Sequence, residues 1–269
     1  MKVTILGSGG SGGVPVADGT PGGNWGACDP GNPKNRRRRV SILVEDGGTT
    51  ALVDTSPDLR QQLLDAGVRD LEAVLFTHAH ADHAHGIDEL RALARSHGGP
   101  IPAYMDARTQ ADLTARFPYI FTSSASPSQL YPPQLRDHII ETLGTPFRAG
   151  AAGTREAGGL EAVAFEQVHG RETTLGFRFG PLAYSTDVTD LDEAAFAALA
   201  GLEVWIVDCL RERPHPTHAH LALALEWIAR VKPRRAILTH LNHQADYEAI
   251  RAKCPPGVEP AYDGLVIEV

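Results

Sequence analysis

Thr77-His78-Ala79-His80-Ala81-Asp82-His83 follows directly on the apolar run Ala73-Val74-Leu75-Phe76. His78, His80, Asp82 and His83 are all competent metal ligands. A buried strand that opens into so many costly polar groups needs a compensating partner. Metal ligation supplies one, and the HxHxDH spacing at the mouth of a strand points to it.

Working outward, Lys2 to Leu6 alternates as a strand and runs into Gly7-Ser8-Gly9-Gly10-Ser11-Gly12-Gly13. No GK[ST] closes that stretch, so it is not a Walker A loop, and no convincing helix follows its weak GxGxxG match. Pro15, Pro21 and Pro30 mark a long irregular loop to about residue 38, which Trp25 and Cys28 suggest folds back and packs. Its end, Arg36-Arg37-Arg38-Arg39, is either a solvated face or a collar for an anionic substrate. Strands at 40–45 and 51–54 pair through the turn Asp46-Gly47-Gly48, and Asp54 ends the second. A helix follows from Thr55 to about Ala66.

Beyond the histidine cluster, Ile87, Leu90, Leu93 and Ala94 mark one face of a helix over Gly86 to Arg95. A strand at 101–105 and a helix at 107–116 come next. Residues 117–134, rich in Ser, Pro and aromatics, form either a cover over a pocket or a packed excursion. Strands are expected at about 136–142 and at 160–168, the latter ending in His169. A hairpin turns at Gly180-Pro181 and ends in Asp187. A helix at 191–199 leads to a strand ending in Asp208, a helix at about 218–230, a strand ending in Thr239-His240, a helix near 245–253 and a closing strand at 265–268. The two halves share one grammar, hairpin strands and then strand–helix units, with polar residues at strand ends. This predicts two sheets packed face to face with helices outside, a four-layer αββα sandwich in a single domain spanning 1–269.

The chain has 269 residues and a formal charge of −8, which disfavours a dedicated nucleic-acid binder. No apolar run reaches the ~18 residues of a membrane span, and the N-terminus lacks the features of a signal peptide. Cys28, Cys209 and Cys254 are widely spaced, with no CxxC, and read as reduced thiols of a cytoplasmic protein. Asp54, the 78–83 cluster, His169, Asp187, Asp208 and His240 all end apolar strands and can converge at one edge. Imidazole and carboxylate ligands without sulfur suit Zn²⁺ or Mn²⁺. The set exceeds the need of one ion, so two divalent ions bridged by Asp187 and holding a hydroxide between them are expected.

With His169, Asp187 and His240, the HxHxDH motif resembles the metallo-β-lactamase superfamily across nearly the whole chain. The resemblance implies that fold and assigns His78, His80 and His169 to one metal, and Asp82, His83 and His240 to the other, with Asp187 shared. Asp54 matches an aspartate that supports the cluster from behind. Trp25-Gly26-Ala27-Cys28, Ser185-Thr186-Asp187, Val207-Asp208-Cys209 and Thr239-His240-Leu241-Asn242-His243-Gln244 are similar to the branch of the phosphoribosyl 1,2-cyclic phosphate phosphodiesterases. That likeness implies a catalytic histidine on the late loop, by position His218, with His220 competing. Asp82 and His218 are therefore the expected catalytic side chains. His220, Arg211 and Arg213 are candidate contacts for a small anionic phosphodiester, and Asp208 and His243 are candidate supports of the ligands. Only Cys28 and His243 remain of that branch's separate cysteine-rich zinc site, so no structural zinc is expected. The resemblance also suggests a homodimer. Ester, thioester or lactone hydrolysis on the same metal core, and tRNA 3′-end processing, remain the competing activities.

Overall fold

Alternating and unbroken apolar runs, with two short edge segments, form fourteen strands among residues 1–125, 129–150 and 158–269, which the computed structural model describes. In chain order these are β1 (Lys2–Gly7), β2 (Ser41–Asp46), β3 (Thr49–Val53), β4 (Ala73–Leu75), β5 (Ile101–Met105), β6 (Leu135–Ile139), β7 (Pro146–Ala149), β8 (Leu160–His169), β9 (Glu172–Phe179), β10 (Leu182–Ser185), β11 (Val204–Asp208), β12 (Arg235–Thr239), β13 (Val258–Pro260) and β14 (Val266–Glu268). The α-helices are α1 (Leu59–Asp65), α2 (Ala81–Ala84), α3 (Leu90–His97), α4 (Ala107–Arg116), α5 (Glu193–Ala198), α6 (Leu221–Val231) and α7 (Tyr247–Arg251).

The strands make two seven-stranded sheets, ordered β14-β1-β2-β3-β4-β5-β6 and β13-β12-β11-β10-β9-β8-β7. Each is mixed. In the first sheet β3, β4, β5 and β6 are parallel neighbours, and in the second β10, β11, β12 and β13 are. Successive side chains on a strand take opposite faces, and burial follows that rule. Ile42, Val44 and Val53 meet Phe177, Phe179, Tyr184 and Ile206 between the sheets. Leu43, Leu52 and Val74 face outward onto Leu59, Leu63 and Leu90 of α1 and α3. Trp205 and Val207 face outward onto Leu221, Ala224 and Trp227 of α6. Each fully buried aliphatic or aromatic side chain contributes about 1.5–3 kcal/mol, so three apolar layers hold four structural ones. This is the expected αββα sandwich.

Three expectations change. First, β7 and β13 pair at the edges of the second sheet without having been anticipated. Second, the Arg36–Arg39 run is divided: Arg36 is exposed over the Trp25 ring, while the other three are tied to the fold. Arg37 is 2% exposed, and its guanidinium donates to Ala245 O (2.8 Å), Asn242 O (3.3 Å) and Asn35 Oδ1 (3.3 Å), fastening the early loop to the one after β12. Arg38 pairs with Asp65 and Asp263, and Arg39 with Asp58. Third, the described part of 117–134 is a packed excursion. Ile120 and Phe121 are buried, and the Tyr119 hydroxyl donates to Asp88 Oδ2 at 2.8 Å. Residues 126–128 of that stretch lie outside the described residues.

Candidate functional site

The direction of the strands gathers the site. β3 and β4 run parallel, so Asp54 and Thr77, just past their ends, are neighbours: the Asp54 amide donates to Leu75 O at 2.9 Å. β10, β11 and β12 run parallel, so Asp187, Asp208 and His240 emerge at one edge. β8 is antiparallel to β9 and β9 to β10, which brings the end of β8, His169, to the same edge. Carboxyl ends of parallel strands are the usual place for ligands in α/β sheets.

Within the motif the chain is extended through His80 (φ −63°, ψ 155°) and then turns into α2. Residues two apart in extended chain share a face, so His78 and His80 stand together, with ring centroids 4.5 Å apart. The first turn of α2 then delivers Asp82 and His83. The turn fits under β3 because residue 86 is glycine: a Cβ there would fall 1.9 Å from Ser56 O. Gly10 has a comparable part at the opposite side. Its Cβ would lie 3.2 Å from the His240 ring, and Leu241 N donates to Ser8 O at 2.9 Å. The glycine-rich stretch therefore packs beneath His240.

Asp187 lies at the centre. Its Oδ1 is 3.9 Å from His78 Nε2 and 3.6 Å from His169 Nε2, while its Oδ2 is 3.0 Å from His83 Nε2 and 3.3 Å from His240 Nε2. Asp82 Oδ2 lies 3.5 Å from both His83 Nε2 and His240 Nε2. Ligand-competent atoms of His78, His80, His169 and Asp187 lie within 4.8 Å of one another, as do those of Asp82, His83 and His240. One carboxylate thus lies between these two groups, and ligand-competent atoms of Asp187, His218 and His240 also lie within 4.8 Å of one another.

The surrounding polar groups aim the rings. His83 Nδ1 lies 2.7 Å from Asp54 Oδ2, and Thr77 donates to Asp54 through both its amide and its hydroxyl at 2.8 Å. His169 Nδ1 donates to Thr217 O at 2.6 Å, and Thr186 Oγ1 donates to Asp187 Oδ2 at 2.8 Å. Asp54, Asp187 and His240 carry φ of 63°, 55° and 60°. Left-handed backbone at residues other than glycine costs on the order of 1–3 kcal/mol each and collects at functional sites.

Burial lowers His78 well below the ordinary imidazole range, helped by the neighbouring His83, and burial lowers His169. Burial opposes protonation of His83 and His240 too, but there carboxylates overcome it. Asp187, Asp82 and Asp54 hold His83 well above its ordinary value, and Asp187 with Asp82 and Asp208 raises His240 to about 9. Asp187 stays well below the usual carboxylate range, since His240 and His83 outweigh its burial. The Nε2 atoms of His78, His83 and His240 are buried without any hydrogen-bond partner. Such orphaned groups are rare and call for a missing partner. Imidazole lone pairs and carboxylates converging on two points fit divalent cations with N and O preference.

His218 joins this cluster. Its ring stacks on His240 with centroids 4.6 Å apart and stands against His169 at 4.9 Å, and its Nδ1 lies 3.1 Å from Asp208 Oδ2. Asp208 is fully buried and also accepts from the amides of Val188 and Ala219, so it fixes the loop that carries His218. The other late-loop candidates are placed elsewhere. Arg211 directs its guanidinium to Arg213 O, Gln244 Oε1 and Pro214 O, which ties a loop together. Arg213 is exposed on that loop, and His220 is the N-cap residue of α6, its backbone bridged to Arg211. His243 is a packing residue rather than a support of the cluster: its ring and carbonyl crowd Gly26, and its carbonyl accepts from Ala27 N.

Sequence reading passed over a group on the His78–His80 side. Arg108, Asp112 and Arg116 of α4 line a cavity of about 140 Å³ with His78, His80 and Glu172. Their i, i+4, i+8 spacing puts them on one helix face and was the available signal.

A β-sandwich with helices on both outer faces and a histidine–aspartate cluster at its strand ends defines the metallo-β-lactamase fold. The chain belongs to the β-lactamase superfamily: residues 49–241 match the β-lactamase superfamily domain. It is 30% identical over 268 residues to an octanoyltransferase of Porphyromonas gingivalis, a match covering 98% of this chain and 51% of that protein. The chain therefore spans about half the length of that relative. It is 29% identical over 276 residues to coenzyme PQQ synthesis protein B of Cupriavidus necator, covering 86% of this chain and 87% of the other. Among solved structures it is similar to a diphosphatase of the PhnP family, with TM-score 0.85 and 32% identity, covering 99% of this chain and 96% of that one. No helix among the described residues is long and apolar enough to cross a membrane.

Proposed function

We propose that this chain is a binuclear metal-dependent phosphodiesterase acting on a small or cyclic phosphodiester, on one hydrolase domain spanning its whole length. His78, His80, His169 and Asp187 would hold one divalent ion, Zn²⁺ or Mn²⁺. Asp82, His83 and His240 would hold the other, with Asp187 shared. Bound there, such ions supply Lewis acidity and a water whose pKa falls toward ~7. Asp187 sets the distance between the two ligand sets, and Asp82, reaching both His83 and His240, carries the negative charge that orients an attacking water. Asp208 accepts from Nδ1 of His218, which leaves Nε2 free to hand a proton to the departing alkoxide.

The observation that supports phosphorus chemistry over carboxylic ester chemistry is His218 itself. It stacks against His240, is held by Asp208 and has its Nδ1 3.8 Å from Asp187 Oδ1, at the edge of the cluster. Similarity along nearly the full chain to a diphosphatase agrees with it and also favours a second reading, hydrolysis of a P–O–P anhydride. The octanoyltransferase relative raises acyl chemistry, but the match covers only about half of that protein. The deciding experiment assays the Mn²⁺- and Zn²⁺-loaded protein on bis(p-nitrophenyl) phosphate, a diphosphate ester, and a panel of esters, thioesters and lactones. Turnover of the phosphodiester is expected. Turnover confined to the acyl panel overturns the reading.

A further inference from the structure

Asp187 has φ of 55°, and such backbone persists only where its surroundings over-determine it. Gln167 of β8 is buried and stands two residues before His169, so the two share a face of the strand. The Gln167 amide nitrogen donates to Thr186 O at 3.0 Å and to Thr174 Oγ1 at 3.2 Å. Thr174, opposite Gln167 on β9, passes its own hydroxyl proton to Asp187 O at 3.0 Å. Thr186 O can only accept, which fixes the orientation of the Gln167 amide. A Cβ at residue 176 would fall 2.8 Å from Gln167 Oε1, so glycine there on β9 makes room for the side chain. Oε1 itself is buried without a partner, a cost that an apolar side chain of the same length would not carry. What the amide adds is its two N–H groups, and both lead to the backbone around Asp187.

Resting on the reading that Asp187 is shared by two ions, we propose that Gln167 is the positioning residue of Asp187. Rotation about φ of Asp187 would turn the Thr186–Asp187 peptide, whose carbonyl Gln167 holds. Rotation about ψ would turn the Asp187–Val188 peptide, which is held at both ends: its carbonyl by Thr174, and its N–H by Asp208 Oδ2 at 3.1 Å. The holds on Thr186 O and on Thr174 both start at the Gln167 amide. Thr186 Oγ1, 2.8 Å from Asp187 Oδ2, then sets the side chain. With the backbone locked, Oδ1 stays toward His78 and His169, and Oδ2 toward His83 and His240. Gln167 acts through Thr174 and Thr186 alone. Its strand also carries His169, so one rigid element places a ligand and braces the carboxylate beside it.

The test compares the wild type with Gln167→Met, which keeps the length of the side chain and removes both donors, and with Thr174→Val and Thr174→Ser. Zn²⁺ and Mn²⁺ affinities are measured by competition with a chromogenic chelator, and melts are recorded with metal and after stripping. Gln167→Met and Thr174→Val should each weaken metal binding about 10-fold or more, the scale for groups that orient ligands. Thr174→Ser keeps the hydroxyl and should bind as the wild type does. The gap in Tm between loaded and stripped protein should narrow in the two weakened variants. A role in packing alone would lower both melts together and leave affinity unchanged, and that result overturns the proposal. Equal weakening by Thr174→Ser and Thr174→Val overturns it too. If Gln167→Met does not fold, the two Thr174 variants decide. None of these measurements needs turnover, so a failure of the phosphodiesterase reading leaves them standing. If the wild type binds a single ion, the binuclear reading fails, and the affinity for that ion still decides the part played by Gln167. A wild type that binds no divalent ion overturns both.

Discussion

His83 Nδ1 lies 2.7 Å from Asp54 Oδ2, with neither side chain exposed to solvent. The contact turns the opposite ring nitrogen, Nε2, toward Asp187, and Asp54 is itself held by the Thr77 amide and hydroxyl. Asp54 touches none of the converging ligand atoms other than through His83 and Thr77, yet it decides where His83 points.

Replacing Asp54 by alanine therefore loosens His83 and leaves a buried Thr77 amide without its acceptor. Metal affinity should fall about 10–100-fold, the usual effect of removing a carboxylate behind a histidine ligand. Metal analysis after dialysis against graded free Zn²⁺ or Mn²⁺ reads this directly. Retention of both ions at wild-type affinity contradicts the role given to Asp54.

His218→Ala should lower phosphodiester kcat by about 10²–10⁴-fold, the range for loss of a positioned general acid. Both metals should remain bound, and KM should change little. An unchanged kcat with full metal content removes His218 from the mechanism. Asp208→Asn should act in the same direction, because Asp208 Oδ2 holds the His218 ring through Nδ1 at 3.1 Å.

Metal uptake should depend steeply on pH. Burial works against a proton on His240, but Asp187, Asp82 and Asp208 raise it from 6.5 to about 9. In the metal-free protein that proton adds stability in full below pH 6.5, and the contribution is lost as pH rises through about 9. A divalent ion must displace it, so apparent affinity should climb about tenfold per pH unit between pH 7 and 9. Isothermal titration in buffers of different ionisation enthalpy would count the released protons. Stripping the ions with a chelator should lower Tm, and readdition at 100 times Kd should restore about 2.7 kcal/mol. A flat pH dependence would falsify the assignment of His240 as a ligand.

Arg37→Leu should destabilise the fold by about 1–3 kcal/mol, the cost of a buried carbonyl left unpaired. That carbonyl belongs to Ala245, on the loop that begins at His240, while the Asn242 carbonyl keeps the Ala245 amide as donor. Urea unfolding measures the loss, and metal affinity should fall with it. A change below about 0.5 kcal/mol, the level of an ordinary surface substitution, shows that the fastening is dispensable.

The strand–helix order was legible because local chemistry writes it. Period-two apolar runs announced β2, β3, β4, β8 and β11, and polar residues placed just past apolar strands announced Asp54, Asp187, Asp208 and His240. The crowding of His78, His80, Asp82 and His83 in one turn of chain pointed to a metal site without any fold. The short edge strands were not legible: Pro146–Ala149 and Val258–Pro260 carry no alternation and exist because a neighbouring strand offers unpaired backbone. Arg37 and Arg38 could not be read as a fastening, since their partners Asn242, Ala245 and Asp263 lie some two hundred positions away in the chain. For the same reason Arg108, Arg116 and Glu172 were passed over. Side-chain type and spacing fix what a residue can do; only the packing of the two sheets decides which partners it meets. The sequence by itself determined the sandwich and the seven converging ligand-type residues. The tertiary structure alone decided how Asp187 is placed, Oδ1 toward His78 and His169 and Oδ2 toward His83 and His240, because that depends on two sheets bringing their strand ends to one edge.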